Sequence, residues 1–573
     1  FLFITLIFYQ FNNNILVMVI LKNIISLFLL FTVFGFSNEI IISKDNYPKN
    51  PLVDAINYSF NIELSDNTDE IICETSIDIK FLGSGVKKLR FDLINVSSEL
   101  EFKGMIVEEV SSNGNLLNFT HNNDELIIQL PKVSKTNQLT NYKVKYKGKP
   151  EKGLIIGNNK YGDRTFFSDN WPNLTRHWLP TIDHPYDKAT CEFIIIAPDH
   201  YQVVSNGLKV EESSINNNKR KTHWKQSVPI ASWLFVLGVA DFAVQYVDQF
   251  NGKSIQTWVF KQDREAGFFD FAKPTKKVLE FYSKYVGPFS YEKLANIQSN
   301  SVSGGMEAAS AILYSDKSVV GDRNKRWRNV VIHEIAHQWF GNSVTEYDWD
   351  DVWLSEGFAT YFTLLFIENE YGRDEFVNGL KSSQKRVDSF YYKNPDYTII
   401  HNNLNDMRKV TSIQTYQKGS WILHMLRGVL GTDTFWKGIR IYYNKFQNSN
   451  ASTEDFKDVM ESVSNKDLDQ FFEQWLYKPG ILKLKGNWFF DKKNKELNIN
   501  LNQVQTEDIL FEMPIEIGIE FENRQDKLEV ITLKNKSNSF KIVLEKEPVN
   551  VILDPNYWVL MNQDFSKSNY FKN

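Results

Sequence analysis

The sequence predicts a multidomain α+β protein: an all-β part, then a largely helical part, then a second, smaller β part. Length is the first observation, because 573 residues, at about 150 per domain, leave room for three or four domains. The second is the texture from about residue 45 to 250. Period-2 or short apolar runs such as "TSIDIKFL", "KKLRFDLINV" and "CEFIIIAP" alternate there with turns rich in Asn, Gly, Asp and Ser, the pattern of strands. The third is a change of period at about 264. "AGFFDFAKPTKKVLEFYSKYVG" is helical in spacing, and helical stretches continue to "DLDQFFEQWLYK", with a strand-like insert at "LANIQSNSVSGGMEAASAILYS". After Pro479-Gly480 alternation returns in "ELNINLNQV", "MPIEIGIEFE" and "SFKIVLE", enough for a small β-sandwich. The expected domains are residues 38–250, 251–480 and 481–573.

The N-terminal segment reads as a leader. Met18 begins "MVILKNIISLFLLFTVFGFSN", with Lys22 ahead of an apolar run from Ile24 to Phe34 and Gly35-Phe36-Ser37 before Asn38. That order is a secretory signal peptide with a small-residue cleavage site, and the apolar run is short for a membrane span. Residues 1–17 then read as upstream sequence. The mature chain is expected to begin near Asn38 and to work in the periplasm, outside the cell or on its outer surface. Contact with a membrane is expected only if the leader is retained as an anchor.

Composition excludes some partners. Basic and acidic residues nearly balance, 65 against 70, for a net of -5, and no Lys/Arg block is long enough to track a phosphate backbone, so nucleic acid is not an expected ligand. Hydrophobic residues make up 42%, enough for several cores. Two cysteines, Cys73 and Cys191, lie in strand-like runs. Two separately buried thiols is the favoured reading and one disulfide the other.

The chemistry concentrates in "VVIHEIAHQWFGN", residues 330–342. His333 and His337 are four apart, so on a helix both imidazoles face one metal, while Glu334 stands about 100° round the same turn, near the metal without displacing a ligand. Eighteen residues separate His337 from Glu356 in "DDVWLSEGFATYF", a second helix-like stretch with acidic residues at its start. Laid antiparallel, it returns Glu356 to the histidines. Two His and one Glu leave a tetrahedral zinc one open position, which marks a catalytic site and not a structural one. Asp351 is a candidate partner for a ligand imidazole N–H.

Together "HEIAHQWFGN", the eighteen-residue gap, "WLSEGFATYF", the upstream "GGMEAAS", the downstream "TYQKGSWILHML", "RHWLPTIDHPYDKATCEF" in the β part and "FFEQWLYKPG" resemble the aminopeptidase N family of zinc metallopeptidases, the gluzincins, over most of residues 45–490. The resemblance implies an N-terminal β-saddle, a thermolysin-like α/β catalytic domain and a β-sandwich, without the helical superdomain that often follows. It implies one zinc per chain and, as substrates, peptides with a free N-terminus. Glu307 would bind the substrate ammonium, with Gly304, Gly305 and Met306 along the substrate backbone. Glu334 would be the general base for water attack on the scissile bond, and Tyr416 the oxyanion donor. Two departures stand out. Ala308 occupies the place of an Asn that usually follows the glutamate, and in "FFSDNWPNLTRHW" Asp169 or Asn170 stands where relatives place a second amine-holding residue.

Other readings are weighed on particular residues. A thermolysin-type endopeptidase would share the zinc ligands, but Glu307 after two glycines argues against it. An epoxide hydrolase of the leukotriene-processing branch would carry a tyrosine at 411, which is threonine. A non-catalytic peptide-binding scaffold would have lost a ligand or Glu334, and all are present.

Overall fold

The computed structural model describes residues 45–568, apart from 217, 401–403, 405, 507–508 and 523–524. The segment read as a signal peptide lies outside the described residues. Among the described residues no helix is long and apolar enough to cross a membrane.

The first part is built on an eight-stranded sheet. At its centre β1 (Val53–Glu63) pairs antiparallel with β2 (Ile71–Phe81) and parallel with β3 (Lys188–Pro198). Alternation does the sorting: along β2, Ile71, Cys73, Thr75, Ile77, Ile79 and Phe81 are buried while Ile72 is exposed, because a strand sends successive side chains to opposite faces. Cys73 and Cys191 are both free and buried, so the two-thiol reading is the one the structure takes.

A five-stranded sheet carries the functional loops. Its order runs β4 (Phe242–Phe250), β5 (Lys253–Phe260), β6 (Lys293–Ser299), then β8 (Ala311–Ser315), with the two-residue β7 (Gly305–Met306) at its edge. β4 and β5 form an antiparallel hairpin, β5, β6 and β8 run parallel, and β7 is antiparallel to β8. A division at residue 250 cuts the β4–β5 hairpin, so this sheet begins earlier than the change of sequence texture. The texture changes late because β4 and β5 alternate just as the preceding strands do.

Around this sheet lie α1 (Arg264–Tyr285), α2 (Lys325–His337), α3 (Trp353–Tyr371), α4 (Arg373–Lys393) and α5 (Gly419–Leu430). α1 is broken at Lys273, whose backbone is extended ahead of Pro274, as the residue before proline prefers. α3 is buried over most of its surface: Trp353, Phe358, Tyr361 and Phe362 have essentially no exposure. Beyond Ile481 the chain forms a four-stranded and a three-stranded sheet.

The segment "TIDHPYDKAT" ties the first part to the helices. Asp183 accepts from Arg176 Nε at 2.9 Å and from Ser232 Oγ at 2.8 Å, and its own N–H donates to Asp92 at 2.9 Å. Lys188, at the start of β3, reaches the loop just beyond α2. Its ammonium donates to Asn342 O (3.0 Å), Ser343 O (2.9 Å), Thr345 Oγ1 (2.9 Å) and Ser449 O (3.1 Å). Three donors shared among four acceptors, three of them peptide carbonyls, make it a fixed joint.

Lys188→Ala would leave those acceptors without their cation. It should destabilise the protein by about 2 kcal/mol, the scale of a charge-assisted buried hydrogen bond. A thermal melt of wild type and variant checks this, and an unchanged midpoint would mean the joint carries no stability.

Candidate metal centre and active site

α2 begins at Asn324, whose side chain accepts from Arg326 N, so the start of the helix and hence the facing of His333 and His337 is set by an ordinary cap. His337 and Glu334 are buried, and His333 is half-buried. The two imidazole Nε2 atoms lie 3.1 Å apart, and Glu356 Oε2 is 3.4 Å from one and 3.3 Å from the other. A tetrahedral ion with ligand bonds of about 2.0–2.1 Å has edges of about 3.3 Å, so the three atoms already form one face of such a polyhedron. Glu356 Oε2 is moreover buried without a hydrogen-bond partner. An orphaned carboxylate oxygen beside two imidazole nitrogens is a donor set for a cation such as zinc, and the residues fit it.

Electrostatics point the same way. Burial raises the Glu334 carboxyl well above the usual range, Glu307 adding to the effect. Burial likewise pushes Glu307 up to about 7, with Glu356 and Asp169 adding and His337 opposing. Burial would raise Glu356 as well, but His337 and His333 hold it low. His337, which burial alone would lower, is held up by Glu307 and Glu356. Three carboxylates around two imidazoles are short of positive charge.

The partners of His337 differ from the expected one. Its Nδ1 lies 3.1 Å from Phe340 O and 3.1 Å from Ser355 Oγ, both of which can accept a hydrogen bond from an Nδ1–H. Asp351 instead accepts from Thr453 N at 2.9 Å and Thr453 Oγ1 at 2.6 Å. It belongs to the 3-10 turn Trp349–Asp351 before α3, and from there it holds the start of the helix Thr453–Ser464. The expectation for Asp351 is therefore corrected, and the imidazole contact falls to Ser355, the neighbour of Glu356.

Glu307 follows the edge strand β7. Ligand atoms of Glu307, Glu334 and His337 lie within 4.8 Å of one another, so Glu307 stands beside the cluster of His333, His337 and Glu356. Its main-chain carbonyl accepts from Gln338 Nε2 at 2.9 Å and Asn342 Nδ2 at 2.6 Å, and Gln338 Oε1 accepts from Ser310 N at 2.9 Å. Gln338 and Asn342, both fully buried, thus pin the "GGMEAAS" loop to the end of the metal-binding helix. Sequence reasoning passed over them, although both stand in the quoted "HQWFGN". Ala308 is buried and offers no side-chain hydrogen bond. Of the two candidates in the β part, Asn170 is committed to packing, donating to Phe235 O at 2.7 Å and accepting from Trp178 Nε1 at 2.9 Å. Asp169, raised to about 6 by burial, is the one that bears on Glu307.

Two glycines set the close approaches. A Cβ on Gly305 would lie 2.3 Å from the Glu334 carboxyl, so any side chain there would have to push the carboxylate aside. A Cβ on Gly357 would lie 3.0 Å from the backbone of Gly419, and this contact brings the segment before α5 against α3. Tyr416 sits there in a π-helical turn, Gln414–Lys418, a local widening frequent at functional sites. Its hydroxyl donates to Glu356 Oε1 at 2.6 Å. Gly304 meets nothing, Met306 is buried, and both flank Gly305 on the edge facing the site.

Comparison with known proteins identifies the family. The family model for the Peptidase family M1 domain matches residues 271–475, and that for the Peptidase M1 N-terminal domain matches residues 55–234. The chain belongs to peptidase family M1. It is 28% identical over 401 residues to the glutamyl aminopeptidase of Sus scrofa, across 67% of this chain and 42% of that protein. To probable aminopeptidase 1 of Sulfurisphaera tokodaii it is 25% identical over 453 residues, across 75% and 56%. The chain thus spans about half the length of these M1 relatives. A mutant of the M1 zinc metallopeptidase from Deinococcus radiodurans shares the fold, with a TM-score of 0.65 at 21% identity over 76% of this chain and 97% of that one.

Gly305→Ala tests the close approach. The new methyl must displace the Glu334 carboxylate while leaving the three ligand atoms in place. On the reading of Glu334 as the base in peptide hydrolysis, kcat should fall by about 10²-fold, the usual weight of a positioned proton-transfer group, with metal content unchanged. A variant with wild-type kcat would mean Glu334 is not held where the reaction needs it.

Proposed function

We propose that this chain is a zinc-dependent aminopeptidase that releases residues from the free N-termini of peptides. The observation that carries the reading is Glu307, a buried carboxylate within 4.8 Å of Glu334 and His337, just after the edge strand β7. A metal site alone is equally consistent with cutting an internal bond. A negative group this near the scissile position stops the substrate after one residue, since an internal segment would leave it buried and unpaired. Such a site takes peptides of varied sequence with an unblocked terminus.

One zinc per chain would be held by His333, His337 and Glu356, and when bound it supplies Lewis acidity toward a carbonyl oxygen and toward water. The residues of the chain do the rest. Glu307 orients the substrate by its ammonium, with the Asp169 carboxylate adding negative potential from the β part. Glu334 takes a proton from the attacking water at its carboxylate and delivers it to the leaving nitrogen. The Tyr416 hydroxyl turns from Glu356 Oε1 toward the oxygen that gains charge. Backbone of the Gly304–Met306 edge runs beside the substrate chain. The β-saddle, thermolysin-like and β-sandwich assignment of the three parts belongs to this reading, as does an exported location, which rests on the residue pattern of Met18–Ser37 alone.

The ends of the substrate provide the test. A peptide with a free N-terminus and its N-acetylated twin should differ by roughly 30- to several thousand-fold in kcat/KM, the range for losing a desolvated charge pair. Glu307→Ala should erase most of that difference by slowing the free peptide. Comparable cleavage of both peptides at an internal bond would replace the aminopeptidase reading with an endopeptidase.

Metal analysis is the second check. Wild-type protein should carry one zinc per chain, and His337→Ala should lose both the metal and activity. A metal-free wild-type protein with full activity would overturn the zinc assignment.

A further inference from the structure

A cleft of about 400 Å³ opens beside His333, Glu334 and Tyr416, and Glu307 is not part of its wall. On the aminopeptidase reading, on which this inference rests, one substrate residue lies on the Glu307 side of the reaction centre. Everything after the scissile bond must then leave through this cleft. Its floor is apolar, with Val330, Leu364 and Ile367, but its outer wall carries Arg326 on α2 and Arg386 on α4, both exposed. Glu334 is the only acidic side chain in that wall among the described residues.

Position makes the arginines relevant. Arg326 precedes His333 by seven residues with Val330 between, so all three share one helix face, and seven residues span about 10 Å. That is the reach of a residue one or two places beyond the scissile bond, at about 3.3 Å per extended residue plus its side chain. The reaction centre itself, with Glu307, Glu334 and Glu356, repels a carboxylate that close. Two guanidiniums just beyond it reverse the sign, and a guanidinium matches a carboxylate in geometry as well as charge.

We infer that Arg326 and Arg386 form a subsite for a carboxylate on the leaving fragment, so that this chain prefers peptides with an acidic residue just after the bond it cuts, or short peptides whose own C-terminal carboxylate falls there.

Matched peptides separate the two sources. Ala-Asp-Ala amide against Ala-Asn-Ala amide isolates the side-chain carboxylate, and Ala-Ala against Ala-Ala amide isolates the terminal one. In at least one pair the carboxylate member should be favoured about fivefold in kcat/KM, the scale of two solvent-exposed ion contacts. The preference should shrink from about 0.05 M to about 0.5 M salt, and it should fall toward unity in R326Q, R386Q and the double variant. Calorimetric binding of the same peptides to zinc-loaded E334Q reads the subsite without turnover. A carboxylate preference in binding with no hydrolysis by wild type would leave the subsite standing and remove the aminopeptidase reading. Equal or weaker handling of both carboxylate members, or a preference that survives the double variant, would overturn the inference.

Discussion

A protein interior does not tolerate three carboxylates around two imidazoles unless something positive joins them. Much of what is particular about this chain follows from that constraint. Glu307, Glu334 and Glu356 are all buried, and their mutual repulsion is relieved only where His333 and His337 face them. On the proposed reading, a divalent ion would relieve the excess at the triad and a substrate ammonium would relieve it at Glu307, so one charge imbalance would serve both the cofactor and the end of the substrate. It also explains why the helices carrying the ligands are so deeply packed, α3 above all, since a loosely held cluster would relax by separating its charges.

The supporting parts hold this cluster by hydrogen bonds and close backbone contacts in place of further charge. Lys188 ties the β part to the turn after α2, and Gln338 and Asn342 tie that same turn to Glu307. Gly305 and Gly357 let two pieces of chain pass nearer to the site than any other residue would permit. Each device is inexpensive alone, of the order of a kilocalorie or two, and the hydrogen-bonded ones converge on the short stretch between His337 and Ser343.

Residues whose role depends on spacing along one helix were legible in the sequence. His333, Glu334 and His337 are a local pattern, and Glu356 becomes legible once a second helix is read, because antiparallel packing is the simplest return path. The order of β and helical parts was legible for the same reason, since periods of 2 and 3.6 are local. Residues whose role depends on tertiary approach were not. Asp351 was read as an imidazole partner because it stands near Glu356 in sequence, but the turn before α3 points it toward Thr453 and leaves Ser355 facing His337. Gln338 and Asn342 lie inside the quoted motif, yet nothing local says that their amides reach a carbonyl thirty residues upstream. The strand β4, placed by texture in the first part, joins the later sheet through β5, because alternation reports that a segment is a strand and not which sheet it enters.

The double amide contact to the Glu307 carbonyl has a consequence for how such a protein could change. On the aminopeptidase reading, the loop that would hold the end of a peptide is fastened by Gln338 and Asn342 directly after the helix that carries Glu334, so the interval between the two glutamates behaves as a gauge of fixed length. Drift elsewhere in the molecule, in the sheets or in the outer helices, moves both jaws together and leaves the gauge reading one residue. A descendant that trimmed two residues at a time would have to lengthen or re-anchor the "GGMEAAS" loop itself, whereas taste for particular side chains could wander freely through the walls of the cleft. Strict cutting position and permissive sequence preference can therefore evolve on separate parts of the same scaffold.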